Sequence, residues 1–311
     1  RARTSSRFRE TRNRPGSPAR RRRRPSPPMT AQAVSSQPSI TELKRIAHRM
    51  RIDIVKMIGA AGSGHPGGSL SEVELLTALF FRVLRHDPKN LGWADRDRFV
   101  LSKGHGCPAL YAVYAAAGYL DPAVLPTLRK LGSPLQGHPD KRMLPVLEAS
   151  TGSLGQGISI GIGMALAARL DKKDFRVFVL VGDGEIQEGQ NWEAAMFAPY
   201  HKLSNLTVIV DNNNQQLDDW THKILDLSPL KEKWASFGWN VREIDGHDFE
   251  QVLPALEQAR ANSSEKPTVI IANTVKGKGV SFMENNIKWH GVAPKPEEVE
   301  AAVKELEAQT L

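Results

Sequence analysis

The first long pattern of apolar and polar positions begins near residue 40. Apolar side chains recur there at steps of three and four residues, the spacing of one helix face. Ser39 and Glu42 occupy the two positions of a capping box, in which side chains supply hydrogen bonds to the first helical turn. The pattern predicts an amphipathic helix over about 40–60. A second helix is predicted over about 71–85, after a Gly- and Pro-rich loop.

Short runs of β-branched and other apolar residues alternate with helical segments further along the chain. The runs at 98–102, 175–181, 206–210 and 268–272 have the length and composition of buried strands. Strands that are apolar throughout and separated by helices indicate a mainly parallel sheet flanked by helices on both faces. We therefore predict an α/β fold, in which ligands bind beyond the carboxyl ends of the strands.

The positive charge of the chain comes from its first segment. The formal net charge is +8, yet residues 1–28 hold eleven Arg against one Glu, so the chain from Met29 onward is mildly acidic. Arg, Ser and Pro dominate the start of the chain and offer little apolar surface to bury. We expect a disordered tail over 1–38 and one folded domain over 39–311.

Three interpretations of the basic segment stay open. One places residues 1–28 upstream of the true start, at Met29. A second is an organellar transit peptide, which is also rich in Arg and Ser and poor in acidic residues. In the third, the Arg run at 20–24 binds RNA or another polyanion through charge. We expect no contact with nucleic acid apart from this segment.

The composition disfavours a membrane-spanning protein and a disulfide-stabilised protein. No run approaches the roughly 20 apolar residues that a membrane-spanning helix needs, so we expect no contact with a membrane. Cys107 is the only cysteine, which leaves no internal disulfide and fits a reducing, cytoplasmic setting.

Two predicted strands end in residues with oxygen donors. Asp183 stands between two glycines after the run 175–181, and Asn213 lies in an Asn cluster after the run 206–210. A lone Gly-Asp-Gly is commonly a turn, but two such strand ends share one edge of a parallel sheet. Oxygen donors suit Mg²⁺ or Ca²⁺ and do not suit zinc, and Mg²⁺ often shares its ligands with phosphates. The pair predicts a metal site that holds a diphosphate.

Four of the nine histidines lie in loops rich in Gly or Pro: His65, His105, His138 and His290. Imidazoles move protons near neutral pH and donate hydrogen bonds to phosphate or sugar oxygens. A lone histidine is more often structural, and we interpret the other five in that way. The group of four predicts an active site.

A third signal is the Gly-rich segment 151–157 at the start of a predicted helix. Backbone N–H groups at a helix start attract anions, and the helix dipole adds to the attraction. We expect Gly152, Ser153 and Leu154 to contact a cofactor. Gly161 and Gly163, inside the helix, are better explained by close packing.

Taken in order, these motifs resemble those of transketolases. The matching segments are 63–69, 98–105, 137–139, 151–157, 182–189 and 290–294. The resemblance runs from about Thr41 to the end of the chain. It implies a domain that binds thiamine diphosphate and Mg²⁺, with Ca²⁺ or Mn²⁺ as substitutes.

The resemblance also implies roles position by position. The metal ligands would be Asp183, Asn213 and the backbone carbonyl of Gln215. The residues in contact with thiamine diphosphate would be His65, His105, Gly152, Ser153, Leu154, Asp183, Gly184, Glu185, Asn213 and His290. The catalytic residues would be His65, His105, His138, His290 and Glu188. Of these, Glu188 resembles a glutamate that couples paired sites across a dimer. Lys276 and Lys278 lie in the segment 276–279, which resembles the corresponding segment of split transketolases. No role is assigned to these two lysines.

In the family, the glutamate that activates the cofactor and the arginines that bind the sugar phosphate lie in a later, pyrimidine-binding domain. The sequence ends at Leu311, before such a domain. We therefore expect the N-terminal subunit of a split transketolase, which forms an α₂β₂ heterotetramer with a separate C-terminal subunit and is active only in that assembly. It would transfer a two-carbon ketol group from a ketose phosphate to an aldose phosphate, as in the pentose phosphate pathway.

Two alternatives compete with this function. The α subunit of a 2-oxo acid dehydrogenase also carries Gly-Asp-Gly and an Asn pair, but it lacks the motifs at 63–68 and 137–139. The other alternative is a thiamine diphosphate-binding scaffold without catalytic activity.

Overall fold

A computed structural model describes residues 37–310 of the chain. The basic segment 1–28, with its three interpretations, lies outside the described residues. Among residues 37–310, no helix is both long and apolar enough to cross a membrane.

Five parallel strands form one sheet, which confirms the predicted fold class. The strands are β1 (Arg98–Leu101), β2 (Val177–Gly182), β3 (Leu206–Asn212), β4 (Asn240–Asp245) and β5 (Thr268–Asn273). Their order across the sheet is β1-β2-β3-β5-β4, and every neighbouring pair is parallel. Four of the five were predicted. Strand β4 was not, because the side chains of this edge strand are exposed or half-buried and form no continuous apolar run.

Ten α-helices surround the sheet in the described part of the chain. They are α1 (Ile40–Ala61), α2 (Pro66–Ser71), α3 (Val73–Ala78), α4 (Cys107–Ala116), α5 (Gln156–Leu170), α6 (Gly189–Tyr200), α7 (Thr221–Ile224), α8 (Leu230–Ser236), α9 (Phe249–Arg260) and α10 (Pro296–Glu307). Short helical segments of other types occur at Leu79–Val83, Gly104–Gly106, Pro122–Thr127, Glu185–Gln187 and Ile287–His290.

The first predicted helix is confirmed together with its cap. Ser39 Oγ accepts a hydrogen bond from the Glu42 N–H, and the Ser39 N–H donates to Glu42 Oε2. The helix ends at Gly62, whose φ of 62° is the left-handed conformation that glycine adopts without strain. The second predicted helix, over about 71–85, is found as α3 and the helical segment Leu79–Val83. A separate short helix, α2, precedes it and was not predicted. Pro66 lies in the first turn of α2, where a fixed φ favours helix initiation, so the loop is confined to 62–65.

Side chains of the central strands alternate between two apolar cores. Phe178 and Leu180 face the core built with α1, α3, α4, α9 and α10, whereas Val177 and Val179 face the core built with α5, α6 and α8. All four side chains are fully buried. Burial on both faces explains why these strands read as continuous apolar runs.

A buried ion pair joins the carboxyl ends of two strands. Lys103, just after β1, places its Nζ 2.6 Å from Asp211 Oδ2 in β3 and 2.9 Å from Glu72 Oε2. The same Nζ donates to the Gly68 carbonyl at 2.7 Å. Burial alone would lower the pKa of Lys103, but the two carboxylates outweigh burial and raise this pKa above its usual value. Lys103 therefore stays charged and ties β1 and β3 to α2.

Replacing Lys103 with Met should destabilise the fold strongly. The change leaves the buried carboxylate of Asp211 and the buried carboxyl group of Glu72 without their cation, and a cost of about 3–5 kcal/mol is typical for removing one partner of a buried pair. Urea denaturation of the full chain measures the free energy of unfolding. The matched control is Lys173→Met, which removes a partly exposed pair with Asp95 and should cost less than about 1 kcal/mol. If both substitutions lowered the free energy of unfolding by the same small amount, a structural role for Lys103 would be contradicted.

Candidate functional site

A cleft opens at the carboxyl ends of β1, β2 and β3, with about 1160 Å³ of open space including its mouth. Its predicted lining residues are His65, His105, His138, Gly152, Leu154, Asp183, Gly184, Glu185, Glu188, Asn213, Gln215 and His290. Of the predicted site residues, Ser153 is the one that does not line this cleft, and its side chain is exposed. Segments far apart in the sequence thus meet in one place.

The four predicted histidines form one cluster. The ring of His65 lies at its centre, with centroid distances of 5.2 Å to His105, 5.8 Å to His290 and 6.3 Å to His138. The rings of His105 and His290 stack with centroids 5.2 Å apart. Since His138 is exposed and the others are at least half-buried, the cluster extends from the mouth of the cleft into its interior.

Burial and neighbouring cations keep these imidazoles neutral. Burial, followed by the charge of Arg129, lowers the pKa of His65 to about 4. Burial and Lys276 lower the pKa of His290 to about 3, and burial places the pKa of His105 well below its usual value. Burial and Arg129 also lower the pKa of His138. Near neutral pH each ring therefore offers one N–H donor and one acceptor nitrogen.

The register of the sheet brings the predicted metal ligands to one end of the cleft. Gly182 pairs with Asp211, so Asp183 and Asn213 follow directly from neighbouring strand ends. The Asn213 Nδ2 donates to Asp211 Oδ2 at 3.2 Å, and its Oδ1 accepts from the Gln215 N–H at 3.2 Å. The ion pair of Lys103 therefore also orients the amide of Asn213.

Asp183 is a buried carboxylate that fits a cation. It accepts a hydrogen bond from Thr221 Oγ1 at 3.4 Å, and the backbone N–H groups of Gly184 and Asn214 act to lower its pKa. Burial, together with the nearby charge of Asp211, raises the pKa of Asp183 to about 7. A divalent cation beside such a group stabilises its charged form.

The donor set also favours a particular kind of metal. Residues 37–310 contain no group of three His, Cys, Asp or Glu arranged to hold an ion. An ion at Asp183 would therefore draw on an amide oxygen, a backbone carbonyl and oxygens from outside the protein. Mg²⁺ is commonly held by few protein ligands plus phosphate oxygens, so the residues present fit Mg²⁺ with a diphosphate.

Glu185 supports the floor of the cleft from within. Its Oε1 accepts hydrogen bonds from Ser102 Oγ and from the Gly155 N–H, while its Oε2 accepts from the Gly182 N–H. These bonds link the end of β2 to the start of α5. The contact of Glu185 with a cofactor stays a prediction.

Gly152 lies against the ring of His138. Its φ is 135°, and a Cβ atom at this position would lie 2.9 Å from His138 Cγ. A side chain would therefore be strained and would displace the imidazole. The contact of the 152–154 backbone with a cofactor stays a prediction.

Three cations near the cleft were given no role from the sequence. Lys276 is buried and its Nζ lies 2.6 Å from His290 Nδ1 and 3.2 Å from the Gln215 carbonyl oxygen. Burial lowers the pKa of Lys276 to about 8. Lys103 lines the floor, and Arg129 contacts His65 from the wall. The only sequence signal was the unusual 276–279 motif.

Glu188 lies at the rim of the cleft, at the N-cap of α6, and its side chain is exposed. Such a position faces out of the described domain. The expected coupling across a dimer stays a prediction.

Comparison with known proteins decides the family. The family model for "Transketolase, thiamine diphosphate binding domain" matches residues 42–309. The chain belongs to the transketolase family. This result confirms the predicted resemblance over the 2-oxo acid dehydrogenase alternative and places the domain among transferases.

Two relatives of this transketolase domain have nearly its own length. The chain is 46% identical over 268 residues to "6-deoxy-6-sulfo-D-fructose transketolase subunit SqwG" of Clostridium sp., covering 86% of this chain and 97% of the relative. It is 45% identical over 269 residues to an apulose-4-phosphate transketolase subunit of Actinobacillus succinogenes, with the same two coverages.

Full-length transketolases are more than twice as long as the matched region. Identity to the transketolase of Homo sapiens is 40% over 277 residues, covering 88% of this chain and 43% of the relative. The crystal structure of transketolase from Campylobacter jejuni superposes with a TM-score of 0.80 at 34% identity, covering 87% of this chain and 43% of that chain. The chain thus spans less than half of these proteins.

The neutral histidines predict a pH dependence of stability. An unfolded histidine takes up a proton near its usual pKa of 6.5, whereas His290 in the fold does so only near 3. The unfolded state therefore binds more protons over this range, and stability should fall as the pH drops from about 6.5 to 4. Thermal unfolding of the cofactor-free chain should show a shallower pH slope after His290→Asn. The exposed His222→Asn is the control, and identical slopes in both variants would contradict the assignment.

Proposed function

We propose that this chain binds thiamine diphosphate through Mg²⁺ and forms one half of a transketolase active site. The observation that carries this proposal is the arrangement of one cleft. Its metal end contains Asp183, Asn213 and the Gln215 carbonyl, and its other end contains the four histidines. The cleft opens where parallel strands end, which is the usual ligand position in such sheets.

The metal end is suited to a diphosphate. Asp183 and Asn213 would bind Mg²⁺ through oxygen, with the Gln215 carbonyl as a third ligand. The buried Lys276 lies beside this carbonyl and would add positive charge for an anionic ligand. Gly184 lets its backbone pack closely against Gln216, because a Cβ atom at position 184 would lie only 2.6 Å from Gln216 Cβ.

The histidine end is suited to proton transfer on a sugar. Thiamine diphosphate, when bound, supplies an electron sink for the two-carbon group that is transferred. The neutral rings of His65, His105 and His290 would hydrogen-bond the hydroxyl groups of the ketose and exchange protons with them. His138, at the mouth, would contact the substrate as it enters.

A separate subunit would complete the site. The two relatives named as subunits match this chain over 97% of their length, whereas full-length transketolases extend far beyond it. We infer that a pyrimidine-binding subunit supplies the groups that activate the cofactor and bind the anionic end of the sugar. Two copies of each subunit, as α₂β₂, would place the exposed Glu188 at a dimer contact.

The names of the same relatives support a proposal for the substrate class. One is named for a sulfonated ketose and the other for a ketose phosphate, so both names describe an anionic ketose. We propose that this chain acts on an anionic ketose and transfers its ketol group to an aldose. Pentose phosphates are the first substrates to test.

Asp183→Ala should abolish the Mg²⁺-dependent binding of thiamine diphosphate. Loss of groups that only support a metal ligand costs about 10–100-fold in affinity, so loss of the ligand itself should exceed about 100-fold. Isothermal titration calorimetry with and without Mg²⁺ measures the effect. Asp218→Ala removes an exposed carboxylate at the same cleft and serves as control. Unchanged affinity after Asp183→Ala would show that the metal site is elsewhere.

The purified chain alone should bind thiamine diphosphate weakly and transfer no ketol group. The reason is that the groups that activate the cofactor would come from the second subunit. A coupled assay with xylulose 5-phosphate and ribose 5-phosphate measures transfer before and after the addition of a co-expressed pyrimidine-binding subunit. Turnover by the chain alone would refute the need for a partner.

A further inference from the structure

Arg129 occupies an unusual place beside the cleft. Its φ of 59° is left-handed, and its backbone N–H donates to the Leu135 carbonyl at 2.8 Å. The residue is half-buried, yet no carboxylate in the range 37–310 forms an ion pair with it. Its guanidinium makes all its described hydrogen bonds to two loops of the cleft wall instead.

These bonds join the loops that hold two of the histidines. Nη1 donates to Ser63 Oγ at 2.8 Å, and Nη2 donates to the Gly137 carbonyl at 3.3 Å. Nη2 also lies 3.4 Å from His65 Nδ1. A Cβ atom at Gly137 would lie 2.9 Å from Arg129 Cζ, so the absence of a side chain there lets the guanidinium pack flat against the loop before His138.

The contact with His65 has a consequence for the position of its proton. A guanidinium has five N–H donors and no acceptor. His65 Nδ1 must therefore be the acceptor, and in a neutral ring the proton is then on Nε2. Nε2 lies on the side of Gly291 and has no hydrogen-bond partner within the described residues. This N–H is left free for a ligand in the cleft.

We propose that Arg129 is a positioning residue that holds His65 as the Nε2–H tautomer and directs this N–H into the cleft. The inference rests on the proposed function for the identity of the acceptor, an oxygen of the cofactor or of the ketose. Arg129 itself acts through His65 and need not touch either molecule.

The electrostatics of the cluster agree with this arrangement. Burial contributes most, and Arg129 next, to lowering the pKa of His65 to about 4. The ionisable groups that face His65 are Arg129, His105, His138, Lys276 and His290. Every one of them is a cation or a neutral base, so nothing in this set favours a second proton on His65. Its tautomer then decides which nitrogen donates.

NMR of the full chain, labelled with ¹⁵N at histidine and free of cofactor, tests the proposal. In the wild type, His65 should appear as the Nε2–H tautomer and should titrate well below its ordinary 6.5. Arg129→Met should give a mixture of tautomers and a titration midpoint that rises toward 6.5. Arg129→Lys, which keeps a charged donor, should restore the Nε2–H form at least in part.

Arg142→Met is the matched control. Arg142 follows His138 by four residues, is exposed and pairs with Asp140, so its removal also deletes one cation near the cleft. The His65 signals should not change in this variant.

Two results would overturn the proposal. One is an unchanged tautomer and midpoint for His65 in a folded Arg129→Met chain. The other is the Nδ1–H tautomer in the wild type, which decides the matter even where Arg129→Met does not fold. Because these spectra need neither cofactor nor partner subunit, they are independent of the tests of the proposed function.

Discussion

The buried pair of Lys103 and Asp211 is the interaction on which the rest of the site depends. It lies at the carboxyl ends of β1 and β3, where three segments of chain meet and both side chains are buried. Asp211 also accepts hydrogen bonds from Ser71 and Thr274, so α2 and the segment after β5 are held at the same point. A neutral residue at either position would leave a buried charge without compensation. The floor of the cleft is therefore fixed before any ligand arrives.

Two aspartates at neighbouring strand ends have opposite environments. Burial opposes ionisation of both, but Lys103 overcomes it for Asp211 and holds the pKa of that carboxyl below its usual range. Asp183 forms no ion pair within residues 37–310, and burial together with the charge of Asp211 raises its pKa to about 7. The first carboxylate is satisfied by the protein and orients Asn213. The second carboxylate remains available to bind a cation. The different roles of the two aspartates therefore follow from the position of Lys103.

Local patterns in the sequence predicted much of this structure. The buried strands were recognisable because both their faces are apolar, and parallel pairing then placed Asp183 and Asn213 at one edge. The four histidines were recognisable from their Gly- and Pro-rich loops. The edge strand β4 was missed, since its pattern is that of a half-exposed segment. The structural roles of Lys103, Lys276 and Arg129 were not predicted. Each of these residues contacts a partner at least 60 residues away in the sequence, and a local sequence pattern does not reveal such long-range contacts.

The edge strand β4 also limits how the sheet can grow. Its outer side has no strand beside it in the described chain, and the exposed Arg242 and Glu243 stand at its middle. Charged side chains on a short edge strand discourage the addition of a foreign strand. Association of copies of the protein through backbone pairing at this border is therefore disfavoured, as is aggregation by strand addition.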